Sequence, residues 1–465
     1  MSEPSADLRR RLERAGELQL LRGLEALDAH ARSAYLAELE ALDWDEIEAL
    51  RRLLAAPPGY TAGRVVPARA FPLERDAEQA AHAERARRAG EEWLRSGRVA
   101  ALTVAGGQAS RLGWEAPKGV FPIGPLSNWS LFEIFARKLR ASGARYGFRP
   151  LWYVMTSPQN DAATRAFFAE HGHFGLSAEQ LFFFPQSMLP ALSPAGRVLR
   201  SATGRLFLAP TGHGGVLSAL RRSGALEHAR EHGIERFSYF QVDNPLVVPF
   251  DPLFLGLHRL EGARMSSKTV EKRDASEKVG VLAWREGQLV CIEYSDLPAE
   301  LREAREPGGR LAFSAGSIAL HILERDLVEE LTARGLSLPW HLARKTMSVL
   351  DAEGRPVESS GIKFETFVFD ALSFSPRSAV LEVERAREFS PVKNASGEDS
   401  PARARADISR LHARWAQAAG LRVPDSGEHG APAIEIDPLF ADDEETLRAR
   451  LPCTPRRLRG GELYT

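Results

Sequence analysis

The chain has 465 residues, with 61 Lys and Arg against 62 Asp and Glu, a formal net charge of −1. That balance argues against broad binding to nucleic acid or to a membrane surface, though it leaves room for a local basic pocket. Two cysteines, Cys291 and Cys453, cannot build a zinc site or a disulfide framework and fit a reducing compartment.

The N-terminal run Met1–Leu21 lacks the apolar stretch of a secretory signal, and Glu3, Asp7, Glu13 and Glu17 do not suit a transit peptide. No segment has the apolar length of a membrane span, so a cytoplasmic protein is expected. Residues 5–56 read as helical, with Leu18, Leu21, Leu24 and Leu27 recurring at spacings of three. Pro57-Pro58-Gly59 closes this block, and residues 57–77 read as an extended linker. The charged run Glu84–Glu92 reads as a solvated helix face.

From about residue 97 short apolar runs alternate with helical segments. Val99–Ala105, Leu151–Thr156, Leu181–Phe184 and Phe237–Val242 read as strands; Leu131–Ser142 and Gly214–Glu231 read as helices. This alternation predicts an α/β domain with a mostly parallel sheet, in which ligands bind beyond the carboxyl ends of the strands. Those ends are small or polar: Gly106-Gly107, Thr156-Ser157, Gln186 and Asp243-Asn244. Met265–Glu271, Val279–Trp284 and Leu289–Tyr294 read as further strands of a mixed extension. Pro424, Gly427, Gly430 and Pro432 mark a boundary into a small C-terminal unit. The expected segments are therefore 1–77, 78–420 and 421–465.

The richest stretch for chemistry is Leu102-Thr-Val-Ala-Gly-Gly-Gln-Ala-Ser-Arg-Leu-Gly113, followed by Pro117-Lys118-Gly119. A glycine pair after a strand lets backbone N–H groups approach a ligand, and Arg111 and Lys118 add positive charge beside it. Neither the P-loop spacing nor the dinucleotide G-x-G-x-x-G is present. His171 and His173 flank Gly172 but have no third ligand nearby, and read as ordinary surface residues.

The whole stretch resembles the signature of the UDP-sugar pyrophosphorylases, closest to their UDP-N-acetylhexosamine branch. Further blocks follow in the same order: Met155-Thr-Ser157, Phe183-Phe-Pro-Gln-Ser-Met-Leu-Pro190, Val242-Asp-Asn244, Val270-Glu-Lys272, Val279-Gly-Val281, Glu293-Tyr-Ser295, Gly361–Glu365, Phe367–Asp370 and Glu388-Phe-Ser-Pro-Val-Lys-Asn394. The resemblance spans about residues 95–410. It implies a Rossmann-like nucleotidyltransferase core with a mixed central sheet. It also implies joining of UTP to a sugar 1-phosphate, with Mg²⁺, to give a UDP-sugar and pyrophosphate.

Carried onto this chain, the resemblance gives Arg111 and Lys118 to the UTP phosphates, Asp243 to Mg²⁺ and Lys393 to the sugar phosphate. Uracil recognition falls to Gly106, Gly107, Gln108, Gln186, Pro210 and Gly212; the sugar falls to His213, Gly280, Glu293 and Ser314. Such a reaction needs no side-chain nucleophile, only positioning and charge neutralisation. Lys363 suits a phosphate contact or a structural pairing equally.

Three departures stand out. Ala109-Ser110 replaces the usual Gly-Thr before the arginine. His213 replaces an Asn of the hexosamine branch and matches the UDP-glucose branch. Ser314 replaces an Asn that helps bind the N-acetylated sugar. N-acetylhexosamine 1-phosphate is the favoured acceptor. Glucose 1-phosphate or a broad specificity is the first alternative, and a catalytically silent UDP-sugar binder the second.

Overall fold

The computed structural model describes residues 3–55, 63–351, 353–423, 432–451 and 462–464. Pro57-Pro58-Gly59, Cys453, Pro424, Gly427 and Gly430 lie outside the described residues. The chain forms two compact units: Met1–Ala62 with Ser187–Gly215 and Leu338–Val368, and Gly63–Gln186 with Val216–Ser337 and Phe369–Thr465. These units cut across the segments 1–77, 78–420 and 421–465, because the N-terminal helices share a core with two later stretches of chain.

In the smaller unit the helices Ala6–Arg14, Ala29–Glu40 and Trp44–Ala55 are separated by two 3-10 turns, Leu18–Leu21 and Leu24–Ala26. The expected continuous helical block is therefore interrupted. Gly16 and Gly23 adopt φ of 70° and 75°, which only glycine takes at little cost. A leucine spacing of three suits a 3-10 turn as well as an α-helix, and here the 3-10 turns form. Leu8, Leu12, Leu20, Tyr35, Leu39 and Leu50 bury against Leu192, Val198, Ile362 and Phe364. The antiparallel pair His341–Leu350 and Pro356–Glu365 supplies the last two of these.

The larger unit is built on a ten-stranded sheet. Its strands are β1 (Val65–Pro67), β2 (Val99–Val104), β3 (Trp152–Thr156), β4 (Leu181–Pro185), β5 (Arg236–Gln241), β6 (Met265–Glu271), β7 (Val281–Arg285), β8 (Gln288–Ile292), β9 (Ala315–Glu324) and β10 (Val380–Glu382). Their order is β1-β7-β9-β5-β2-β3-β4, with β8 on β7 and β6 between β9 and β10. Strands β5, β2, β3 and β4 are parallel, and β9 runs antiparallel to β5 and β6. The stretch read as a linker is thus tied into this sheet: β1 pairs with β7, and Phe71 bridges Leu381.

Helices α1 (Ala77–Arg95), α2 (Leu131–Tyr146), α3 (Pro252–Leu260) and α4 (Pro401–Ala418) belong to this unit. Ser130 caps α2 by accepting the Glu133 N–H, and Gly147 ends it at φ 71°. Its apolar face, including Phe132, Phe135 and Leu139, joins Trp152, Phe168 and Phe240 in one core. Helices α1 and α3 touch backbone to backbone. A Cβ on Gly90 would stand 1.8 Å from the Pro252 carbonyl oxygen, and one on Gly256 1.6 Å from that of Ala86. The segment Gly214–Glu231 holds two helices, because Gly224 at φ 78° separates Gly215–Arg222 from Ala225–Glu231. No helix among the described residues is long and apolar enough to cross a membrane.

Candidate active site

Four parallel strands bring their carboxyl ends to one edge of the sheet, where Gly106-Gly107, Ser157, Gln186 and Asp243 follow β2, β3, β4 and β5. The loop after β2 has its carbonyls spoken for. The Asn160 amide donates to the carbonyls of Ala105 and Gly107 at 3.0 and 3.4 Å, and the Lys118 N–H donates to Gly107 at 3.1 Å. The N–H groups of Gly106, Gly107 and Gln108 have no acceptor among the described residues. Successive free N–H groups of this kind form an anion- or carbonyl-binding surface. A Cβ on Gly106 would meet the Gln186 side-chain amide nitrogen at 2.8 Å, so the absent side chain lets the two approach. That Gln186 amide is half-buried and makes no hydrogen bond among the described residues, leaving a donor and an acceptor side by side.

The charged candidates gather around Val392. Its N–H donates to the Asp243 carbonyl at 2.8 Å, and its carbonyl accepts from Lys118 Nζ at 3.3 Å. Lys393 is the next residue; its Nζ lies 3.9 Å from Asp399 and 5.8 Å over the Phe389 ring. Arg111 is exposed on the same loop as Lys118, and its side chain makes no hydrogen bond or ion pair among the described residues. The Asp243 carboxylate likewise has neither hydrogen bond nor ion pair there. The described residues hold no cluster of three or more metal ligands. A single carboxylate without a protein partner fits Mg²⁺, which takes one or two carboxylates and completes its shell from phosphates and water.

Gly280, Glu293 and Ser314 lie on the mixed side of the sheet. A Cβ on Gly280 would stand 3.6 Å from Glu293 Oε1 and 2.8 Å from Cys291 Sγ. The Ser314 carbonyl accepts from Lys272 N–H at 2.9 Å at the end of β6. Strand β9 places His321 opposite Tyr239 of β5, so the start of β9 near Ser314 runs toward the edge at which Asp243 ends β5.

Pro210, Gly212 and His213 belong to the smaller unit, where Pro210 ends the strand Leu208–Pro210, paired antiparallel with Met188–Pro190, and Gly212 and His213 follow it. Gly212 adopts φ 76° with the Thr366 carbonyl 2.4 Å from where a Cβ would sit. His213 Nδ1 accepts the Val368 N–H at 3.1 Å, so the neutral ring carries its proton on Nε2. Lys363 lies 5.6 Å over the Phe207 ring in the same unit.

A family model for UTP–glucose-1-phosphate uridylyltransferase matches residues 65–456. The chain belongs to this uridylyltransferase family. The chain is 37% identical to human UDP-N-acetylhexosamine pyrophosphorylase-like protein 1, over 96% of this chain and 94% of that protein. It is also 37% identical to the UDP-N-acetylglucosamine pyrophosphorylase of Saccharomyces cerevisiae, over 73% and 74% of the two chains. The crystal structure of the Trypanosoma brucei uridine diphosphate N-acetylglucosamine pyrophosphorylase, solved with an inhibitor, superposes with a TM-score of 0.79 at 29% identity, covering 97% and 95% of the two chains. The protein is thus a nucleotidyltransferase of the UTP:sugar-1-phosphate type, with the mixed α/β fold of that group.

Two asparagines of this uridylyltransferase that fix the loops at the strand ends were given no role by the sequence. Asn160 is fully buried; it accepts the Ser157 N–H at 2.7 Å while fixing the β2 loop. Asn244, 3% exposed, donates to the Glu388 carbonyl at 2.7 Å and accepts the Ser390 N–H at 3.1 Å. An Asn just past a strand end is the signal that could have marked both.

The His213 environment gives a pH prediction. Burial, and then His341, push its pKa from 6.5 down to about 4. Between those values the unfolded chain binds more protons than the folded one, so this contribution is full above pH 6.5 and is lost as pH falls toward 4. Urea unfolding followed across that range should show stability declining with acid, with a shallower decline in His213→Gln. Equal slopes in both proteins would remove His213 from the account.

Proposed function

We propose that this uridylyltransferase joins UTP to an N-acetylhexosamine 1-phosphate, releasing pyrophosphate. The observation that carries the reading is the convergence on Val392, which puts Lys118, Asp243 and Lys393 at the strand edge that also bears the free N–H groups of the β2 loop. In this reading the uracil edge lies against Gly106, Gly107 and Gln108, with Gln186 offering one donor and one acceptor. The sugar-phosphate oxygen attacks the α-phosphorus in line, and pyrophosphate departs. Arg111 and Lys118 neutralise the UTP phosphates, and Lys393 orients the attacking phosphate. Asp243 would hold Mg²⁺, which supplies Lewis-acid stabilisation of phosphate charge when bound. No side-chain nucleophile takes part.

Pyrophosphate release from UTP and Mg²⁺ with the 1-phosphates of glucose, galactose, N-acetylglucosamine and N-acetylgalactosamine tests the reading. The N-acetylated sugars should rank first. A lead for glucose 1-phosphate would favour the second reading, which rests on His213 and Ser314. Binding of UDP-sugar without any release would leave a silent binder.

Ser314 gives a sharper test. Its hydroxyl is shorter than an Asn amide and makes no hydrogen bond among the described residues. Ser314→Asn should raise the ratio of kcat/KM for N-acetylglucosamine 1-phosphate over glucose 1-phosphate by ~10-fold, the worth of one added hydrogen bond. An unchanged ratio would show that position 314 does not read the sugar.

A further inference from the structure

Glu388, Ser390 and Val392 each fasten the segment that leads to Lys393 to the body of the unit. Glu388 is held twice: its carbonyl by the Asn244 amide at 2.7 Å, and its carboxylate by Lys268 Nζ at 2.6 Å. Ser390 gives its N–H to Asn244 at 3.1 Å and its hydroxyl to Asp407 at 2.9 Å. Val392 is bound to the Asp243 carbonyl and to Lys118. Glu388 ends the short helix Arg385–Glu388, and Ser390, Pro391 and Val392 are buried after it, whereas Lys393, whose own N–H donates to the Asp399 carbonyl at 2.7 Å, lies at the solvent edge. Its side chain is 43% exposed.

The far end of this fastening is an ionic cluster inside the unit. Lys268 on β6 is 1% exposed, and its Nζ lies 2.6 Å from both Asp251 and Glu388. Asp251 in turn caps α3 by accepting the N–H groups of Leu253 and Phe254. Burial opposes the Lys268 charge, but the two carboxylates outweigh it and raise its pKa. Buried ion clusters are a weak source of stability, because desolvation cancels most of the attraction. What this one does supply is direction, since it fixes the start of the segment that ends in Lys393.

We propose that Glu388, held by Lys268 and by Asn244, is a positioning residue for Lys393 in nucleotidyl transfer. The proposal rests on the reading that Lys393 contacts the sugar phosphate. It is tested in the full-length enzyme with Glu388→Gln, which keeps the side-chain shape and a hydrogen bond to Lys268, and with Lys393→Ala and the double variant. Asn244→Ala provides a second route if Glu388→Gln folds poorly, with melting temperatures measured alongside.

A displacement of order 1 Å at a reacting group costs about 10²-fold in rate. Glu388→Gln should therefore lower kcat by about 10–100-fold, with KM for UTP within about twofold of the parent. In the double variant the two losses should not multiply, because a mispositioned lysine and an absent one fail in the same way. Multiplying losses, or a Glu388→Gln kcat within about twofold of the parent, would overturn the coupling alone. Full turnover in Lys393→Ala would instead overturn the role of Lys393 and, with it, the premise.

Discussion

Lys118→Ala should lower kcat/KM by about 10²–10³-fold, the loss measured for single groups that stabilise charge in a transition state. The side chain is half-buried, and its only hydrogen bond among the described residues goes to the Val392 carbonyl at 3.3 Å. A single long contact from a charged donor is worth about 1–2 kcal/mol, so the fold should survive its removal. The loop keeps its shape as well, because the bond from residue 118 to Gly107 uses the backbone N–H. The loss should therefore fall on kcat, where developing charge on the leaving pyrophosphate goes unmatched. Steady-state kinetics beside a circular-dichroism melt decides it. Near-parent turnover in a folded variant would take Lys118 out of the site.

Asp243→Asn should have an effect of the same order, about 10²–10³-fold in kcat/KM, since a metal's stabilisation of phosphate charge is worth several kcal/mol. The substitution leaves the main-chain bond from Val392 intact, and the carboxylate it removes has no partner among the described residues. Stability should therefore hold or rise. The Mg²⁺ concentration giving half-maximal rate should shift upward, while binding of UTP through the β2 loop persists. A titration of rate against Mg²⁺ that overlays the parent curve would refute the assignment of Asp243.

Much of the catalytic sheet was legible in the sequence, for a local reason. Val99–Val104 and Trp152–Thr156 are short apolar runs ended by small residues, and α2 has its cap at Ser130 and its stop at Gly147 within its own segment. The N-terminal leucines misled because a spacing of three serves a 3-10 turn as well as a helix, and only the glycine dihedrals separate the two. The residues that shape the site were hidden for another reason. Asn244 meets Glu388 across 144 positions and Lys268 meets it across 120. Asn160 reaches Ala105 across 55. No short-range pattern encodes such partners, so a polar residue near a strand end reads as an ordinary turn. Conversely, the charged candidates were found because the blocks containing them are contiguous, although their meeting at Val392 was not.

The loop after β2 owes its shape to Asn160 and to the backbone of Lys118, not to anything a ligand would bring. Freezing an unstructured backbone costs roughly 1–2 kcal/mol per residue. For Gly106, Gly107 and Gln108 that entropy is surrendered once, when the protein folds, instead of at each turnover. In the proposed function an incoming nucleotide would meet a surface already in place, and binding would not carry that ordering cost. Its capture and release can then be diffusive events free of a loop-ordering step, which suits a catalyst that must run the same exchange many times over.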